Sequence, residues 1–108
     1  TNLPFIYHDA GVQDVLVKMT EGRLGRALVG TKEILNGVIT DGDIRRALID
    51  KSNFSELKAE DLMNKNPLTA LETDNLQLAE NRMREAKVQC LIVKNQINEV
   101  VGVIQIFE

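Results

Sequence analysis

Gly37-Val38-Ile39-Thr40-Asp41-Gly42-Asp43-Ile44-Arg45-Arg46-Ala47-Leu48 starts as a short apolar strand, breaks at a polar turn and continues as a helix. β-branched Val38 and Ile39 suit a buried strand. The helix is expected over residues 43–50. At the junction stands Thr40-x-x-Asp43. A helix N-terminus presents unpaired N–H groups and a partial positive charge, which favour phosphate. A threonine hydroxyl can donate to a phosphate oxygen, an aspartate can accept both hydroxyls of a ribose, and Gly42 clears room for close approach. The same pair also makes a plain helix cap, with Thr40 and Asp43 satisfying backbone N–H groups at the helix start. On the residues alone the cap is the simpler reading, and the two roles are compatible.

Outward from this stretch, the chain repeats itself. With a shift of 64, Val12 falls on Leu76, Val15 on Ala79 and Met19 on Met83. Both segments are helical by their i, i+3, i+7 apolar spacing. Gly25-Arg26-Ala27-Leu28-Val29 falls on Gln89-Cys90-Leu91-Ile92-Val93, each a short buried strand. A polar turn follows, Thr31-Lys32-Glu33 in one half and Asn95-Gln96 in the other, with one extra residue in the second half. Gly37-Val38-Ile39-Thr40 then falls on Gly102-Val103-Ile104-Gln105. Upstream, Phe5-Ile6-Tyr7 is laid over Pro67-Leu68-Thr69 as a short entry strand. Residues 59–63 form a helical turn that Pro67 stops, and the polar run 51–55 reads as a linker. Each half is strand, helix, strand, strand, too small to build a core alone. The expectation is an α/β (α+β) domain of two repeats, 1–55 and 56–108, related by a pseudo-twofold axis. A ferredoxin-like or other small α+β domain with accidental self-similarity is the alternative.

Composition narrows the function classes. The chain has 108 residues, 44% hydrophobic and 27% charged, the balance of one soluble globular domain. A formal net charge of -3 argues against a general nucleic-acid or anionic-membrane binder. No apolar run approaches the ~20 residues of a membrane span. The single Cys90 forbids an internal disulfide and leaves no cysteine cluster for zinc, so a reducing cytoplasm is the expected setting. The start at Thr1-Asn2, with no signal peptide before it, reads as a segment of something longer.

The repeat plan together with the 37–48 stretch resembles the CBS family, whose tandem pairs form regulatory modules. Glu60-Asp61-Leu62-Met63-Asn64-Lys65-Asn66-Pro67 is similar to the signature between its repeats. The wording Thr-Asp-Gly-Asp-Ile-Arg-Arg, residues 40–46, is similar to the C-terminal CBS pair of arabinose-5-phosphate isomerases of Kdo biosynthesis. The resemblance spans essentially the whole chain. It implies a module that senses a nucleotide (AMP, ATP or a CMP-type ligand) and is not itself an enzyme, with no required cofactor. It further implies a sugar isomerase domain preceding it in the parent chain, and a homodimer.

Carried over by position, the resemblance turns Thr40 and Asp43 into ligand contacts. They are expected to face Met63, Asn66 and Leu68 at the entry to the second repeat, and Val88, Gln89 and Cys90 at the start of its long strand, with Gly25 and Val38 as the floor. Leu68, Val88 and Val38 suit the apolar wall of a base site, and the Asn66 and Gln89 amides can read a base edge. Taken singly, Val38 and Val88 also read as ordinary core. Arg45 and Arg46 follow Asp43, and a guanidinium there can bind phosphate bidentately or lie solvated on the surface. Arg23 and Arg26 flank Gly25 and are weaker candidates. The second half departs from the pattern: Gln105 stands in the place of Thr40 and the terminal Glu108 in that of Asp43, with the following helix missing. One competent site is therefore expected.

No catalytic residue and no metal site is predicted. His8, the only histidine, has no nucleophile arranged around it. Asp41-Gly42-Asp43 matches two positions of an EF-hand loop and no more. Cys90 on a buried strand reads as packing. The leading function is a regulatory module for an attached isomerase, with CMP-Kdo as the logical end-product ligand. The competing one is a structural module that dimerises through its helices, for which an uncovered apolar stripe over 12–19 would speak.

Overall fold

A computed structural model of the chain describes residues 3–21, 25–50 and 52–106. It folds as two compact units, Thr1–Asn66 and Pro67–Glu108. The first contains β1 (Phe5–Ile6), α1 (Val12–Glu21), β2 (Arg26–Gly30), β3 (Leu35–Thr40), α2 (Asp41–Asp50), a 3-10 turn (Phe54–Glu56) and the short α3 (Ala59–Leu62). The second contains β4 (Thr69–Leu71), α4 (Leu76–Ala86), β5 (Cys90–Lys94) and β6 (Val100–Gln105). This is a mixed α+β fold with two three-stranded sheets, ordered β1-β2-β3 and β4-β5-β6.

The repeat read from the sequence is present in the hydrogen bonding of each sheet. In the first, β1 runs parallel to β2 and β2 antiparallel to β3, with Arg26 opposite Thr40, Leu28 opposite Val38 and Val29 opposite Gly37. In the second, β4 runs parallel to β5 and β5 antiparallel to β6, with Cys90 opposite Gln105, Ile92 opposite Val103 and Val93 opposite Gly102. Even the register shift recurs, between Val29 and Gly30 and between Val93 and Lys94. The extra residue lies after that shift, as expected.

One alignment is corrected. Phe5 pairs with Leu28 while Thr69 pairs with Ile92, so Phe5 corresponds to Thr69 and not to Pro67. The carbonyls of Pro4 and Leu68 accept from the equivalent N–H groups of Leu28 and Ile92, at 2.8 and 2.9 Å. The shift of 64 therefore runs unbroken from the entry strand. A strand repeats its faces every two residues, so a slip of two leaves the apolar pattern unchanged and sequence alone does not detect it. α2 also starts two residues earlier than expected, at Asp41, directly after the Thr40 cap that the sequence offered.

Each sheet packs one face on its own helix. In the first unit Val12, Val15 and Met19 of α1 meet Ala27, Val29 and Ile39, joined by Ile44 and Ala47 of α2. In the second, Ala79 and Met83 of α4 meet Ala70 and Leu91. The run after α2 is less of a linker than its polarity implies. Phe54 and Leu57 pack on the first core, and the N–H of Val12 donates to Leu57 O at 3.0 Å. α3 is tied to the segment after β1 through the N–H of Ala59 on Ala10 O at 2.8 Å.

Candidate functional site

Thr40 ends β3 and caps α2. Cross-strand neighbours share a face, so Arg26, Leu28, Val38 and Thr40 lie on the face opposite the α1 core. Thr40 is half-buried there, with Val38 and Arg26 buried beside it. At the helix start the two predicted residues meet. Asp43 Oδ2 accepts from the Thr40 N–H at 2.9 Å and from the Thr40 hydroxyl at 3.1 Å. The Asp43 N–H is 3.4 Å from Thr40 Oγ1. This is a reciprocal capping box, so the simpler of the two readings of the motif is present in full.

The other carboxylate oxygen is engaged as well. Arg46 Nη2 donates to Asp43 Oδ1 at 2.6 Å. Arg46 stands in the second turn of α2, still near the positive end of the helix, and the carboxylate three residues back is what favours a cation there. The guanidinium lies over Gly42: a Cβ there would stand 3.3 Å from Arg46 Nη1 and 3.6 Å from Thr40 Oγ1. Sequence reading found both residues and missed their pairing, although the i, i+3 spacing of opposite charges carried the signal. Arg45 is exposed.

Gly25 and Gly37 are glycines for different reasons. Gly25 has φ +65, the left-handed region, and its Cβ position is 3.6 Å from Asp41 Oδ2, which puts it against the first turn of α2. At Gly37 the issue is space, since an added Cβ would meet Asn64 O at 2.6 Å and Met63 Sδ at 2.8 Å. The segment after α3 crosses β3 here, with the Val38 N–H donating to Asn64 O at 3.1 Å and the Asn64 N–H to Val38 O at 2.8 Å. Met63, half-buried, also packs on the first core. The first unit thus gathers Gly25, Val38, Thr40, Asp43 and Arg46 around the end of β3, with Met63 one step away. Asn66 is exposed, and its N–H donates to Asn64 Oδ1 at 3.1 Å.

In the second unit Leu68 and Val88, expected as walls for a base, pack against that unit's own core. Gln89 is exposed, and its carbonyl accepts from the Ile106 N–H at 3.0 Å. Cys90, the first residue of β5, is half-buried. Gln105 occupies the register position of Thr40. Glu108 and Arg23 lie outside the described residues.

Elsewhere in the first unit, a groove of ≈ 670 Å³ is lined by residues including Tyr7, Asp14, Val17, Lys18 and Lys32, and by none of the predicted site residues. His8 is exposed, with Nδ1 2.7 Å from Glu60 Oε2. Among the described residues no group of three or more His, Cys, Asp or Glu side chains is placed to hold a metal ion. None of the described helices is long and apolar enough to cross a membrane.

Comparison with known proteins bears on this geometry. The family model described as "CBS domain" matches twice, over residues 1–50 and 59–106. A probable arabinose 5-phosphate isomerase of Haemophilus influenzae is 42% identical over 106 residues, covering 97% of this chain and 32% of that protein. The arabinose 5-phosphate isomerase KpsF of Escherichia coli is 33% identical over 108 residues, covering 99% of this chain and 33% of its own. The chain therefore spans about a third of the length of the curated relatives it matches. Among solved structures, a CBS domain protein from Pyrobaculum aerophilum complexed with AMP superposes with a TM-score of 0.85 at 24% identity, over 97% of this chain and 81% of that one. The CBS domain of a bacterial CNNM/CorC family Mg2+ transporter in complex with ATP gives a TM-score of 0.78 at 18% identity, over 96% and 73%.

Proposed function

The chain belongs to the CBS domain family, and from that membership we propose that it is a regulatory module which binds a nucleotide at Thr40 and Asp43. The observation that carries the reading is the end of β3. Thr40, Asp43 and a guanidinium meet at the start of a ten-residue helix. Helix N–H groups and Arg46 suit a phosphate, and the Asp43 carboxylate suits a ribose. The AMP and ATP complexes of proteins with this fold support the ligand class.

The similarity to arabinose 5-phosphate isomerases extends the proposal to the parent chain. There the module modulates a sugar isomerase domain that precedes it, in the cytoplasm, and performs no catalysis of its own. A nucleotide-sugar end product of the Kdo pathway, CMP-Kdo, is the natural candidate for feedback. Within the first unit, Met63 and Asn66 are proposed to lie on the base side of the site.

A second reading draws on exposed apolar residues: Leu16 and Val17 on α1 are 39% and 51% exposed, and Leu48 and Ile49 on α2 are 56% and 82% exposed. In that reading the module forms a homodimer through its helices and organises the enzyme without a small ligand. A thermal-shift panel of AMP, ATP, CMP, CTP and CMP-Kdo separates the two. A ligand at 100 times its dissociation constant adds about 2.7 kcal/mol of stability. A flat response to all five, with a dimer in light scattering, favours the structural role.

A further inference from the structure

We propose that Arg46 gates the site: it holds the Asp43 carboxylate closed and passes to the phosphate when a nucleotide binds. This deepens, and rests on, the nucleotide-binding reading of Thr40 and Asp43. The argument begins with the acceptor capacity of one carboxylate. Each oxygen offers about two lone-pair sites. Asp43 Oδ2 spends both on the N–H and hydroxyl of Thr40, at 2.9 and 3.1 Å. With the Thr40 cap kept intact, so that its hydroxyl stays on Asp43 and the phosphate rests on helix N–H groups, a ribose diol docks on Oδ1, where Arg46 Nη2 already sits at 2.6 Å. One remaining lone pair does not serve two hydroxyls, so the guanidinium has to leave.

Leaving is easy. The Arg46 side chain is 67% exposed whereas that of Asp43 is 13% exposed. Water takes over the guanidinium's hydrogen bonds at once, because the arginine end of the pair faces solvent. The destination is close. Arg46 Nη1 and Nη2 lie 3.3 and 3.5 Å from the Cβ position of Gly42, which puts the guanidinium beside the second residue of α2. A phosphate held by the N–H groups of the first turn is a short rotation away. It also needs a cation there, because Asp41 and Asp43 both stand in that turn. Ligand binding thus exchanges one charge-assisted pair, Arg46 with Asp43, for another, Arg46 with phosphate. A nucleoside without phosphate must break the first pair and receives nothing in return. Arg46 accordingly sets a preference for phosphorylated ligands.

The test uses Arg46→Gln in the whole chain, with two matched pairs of probes, AMP with adenosine and CMP with cytidine, by titration calorimetry. The predicted result is that the variant binds the nucleoside more tightly than the wild type and the nucleotide more weakly. The nucleotide-to-nucleoside affinity ratio then falls by about tenfold or more, the size of one charge-assisted hydrogen bond. A ratio unchanged by the substitution, or a nucleoside that fails to gain, overturns the gate and leaves the nucleotide site standing. Wild-type protein that binds neither nucleotide overturns the site itself and the gate with it. Because Arg46 is exposed, far-ultraviolet circular dichroism of the variant should match the wild type, so a loss of binding is not a loss of fold.

Discussion

Asp43 is at once the lock of a helix start and the proposed seat of a ribose, and the two roles have separable signatures. Asp43→Ala removes the acceptor of both Thr40 bonds. Loss of a cap costs about 1 kcal/mol, to be read as a lower urea midpoint with an unchanged slope. Nucleotide affinity falls by a further ~1.5–3 kcal/mol for the lost charge-assisted bond. A 2′,3′-dideoxy analogue should lose a comparable amount on the wild type and almost nothing on the variant. Equal affinity of wild type and variant for a ligand that binds would remove Asp43 from the site. Glycine supplies a second residue-scale contrast. Gly37 and Gly102 hold equivalent register positions. A Cβ at Gly37 would press on Asn64 O at 2.6 Å, while one at Gly102 meets only Val93 Cβ at 4.0 Å. Gly37→Ala should destabilise by roughly 1–3 kcal/mol and Gly102→Ala by under about 0.5 kcal/mol, in chemical denaturation. Equal effects would mean that the crossing of β3 by residues 63–64 is looser than described.

At the scale of elements, the helices and long strands were legible because their periods differ and their apolar residues recur in register. Val15 and Met19 are buried on α1, and Ala79 and Met83 on α4, at positions the shift of 64 pairs, whereas Val12 is buried and its counterpart Leu76 is 58% exposed. Two things were not legible. The entry strand slipped by two residues, since alternation is blind to that slip and only backbone pairing fixes it. The polar run 51–55 concealed Phe54, and Leu57 stands just beyond it; both anchor the connection to the first core, and two isolated apolar residues have no period to announce them. At the site, residue types pointed to Thr40 and Asp43, and the i, i+3 spacing allowed the Asp43–Arg46 pair, but only the Arg46 rotamer fixes that it closes the carboxylate. Element burial makes its own prediction. Met83 is 0% exposed at the centre of the second core and Leu78, on the same helix, is 62% exposed. Met83→Ala should cost about 2–5 kcal/mol and Leu78→Ala under about 0.5 kcal/mol, by urea denaturation. Comparable losses would place the apolar face of α4 elsewhere.

For the molecule as a whole, the repeat in sequence and the compactness in space do not share a boundary. Residues 56–66, which belong by sequence with the second repeat, are bound to the first unit through Leu57, Ala59 and Asn64. The two sheets are nevertheless built to one plan, so the differences between them stand out. Thr40 has a hydroxyl, a capping partner and a ten-residue helix after it; Gln105, at the same register position, has an amide. Equivalent backbones with unequal side chains imply unequal affinity for a phosphate. Titration calorimetry of the wild-type chain with AMP and with CMP measures that inequality as a stoichiometry. Saturation at one nucleotide per chain, abolished by Asp43→Ala and retained in Gln105→Ala, is the predicted result; two nucleotides per chain, or one that survives Asp43→Ala and is lost with Gln105→Ala, would contradict it.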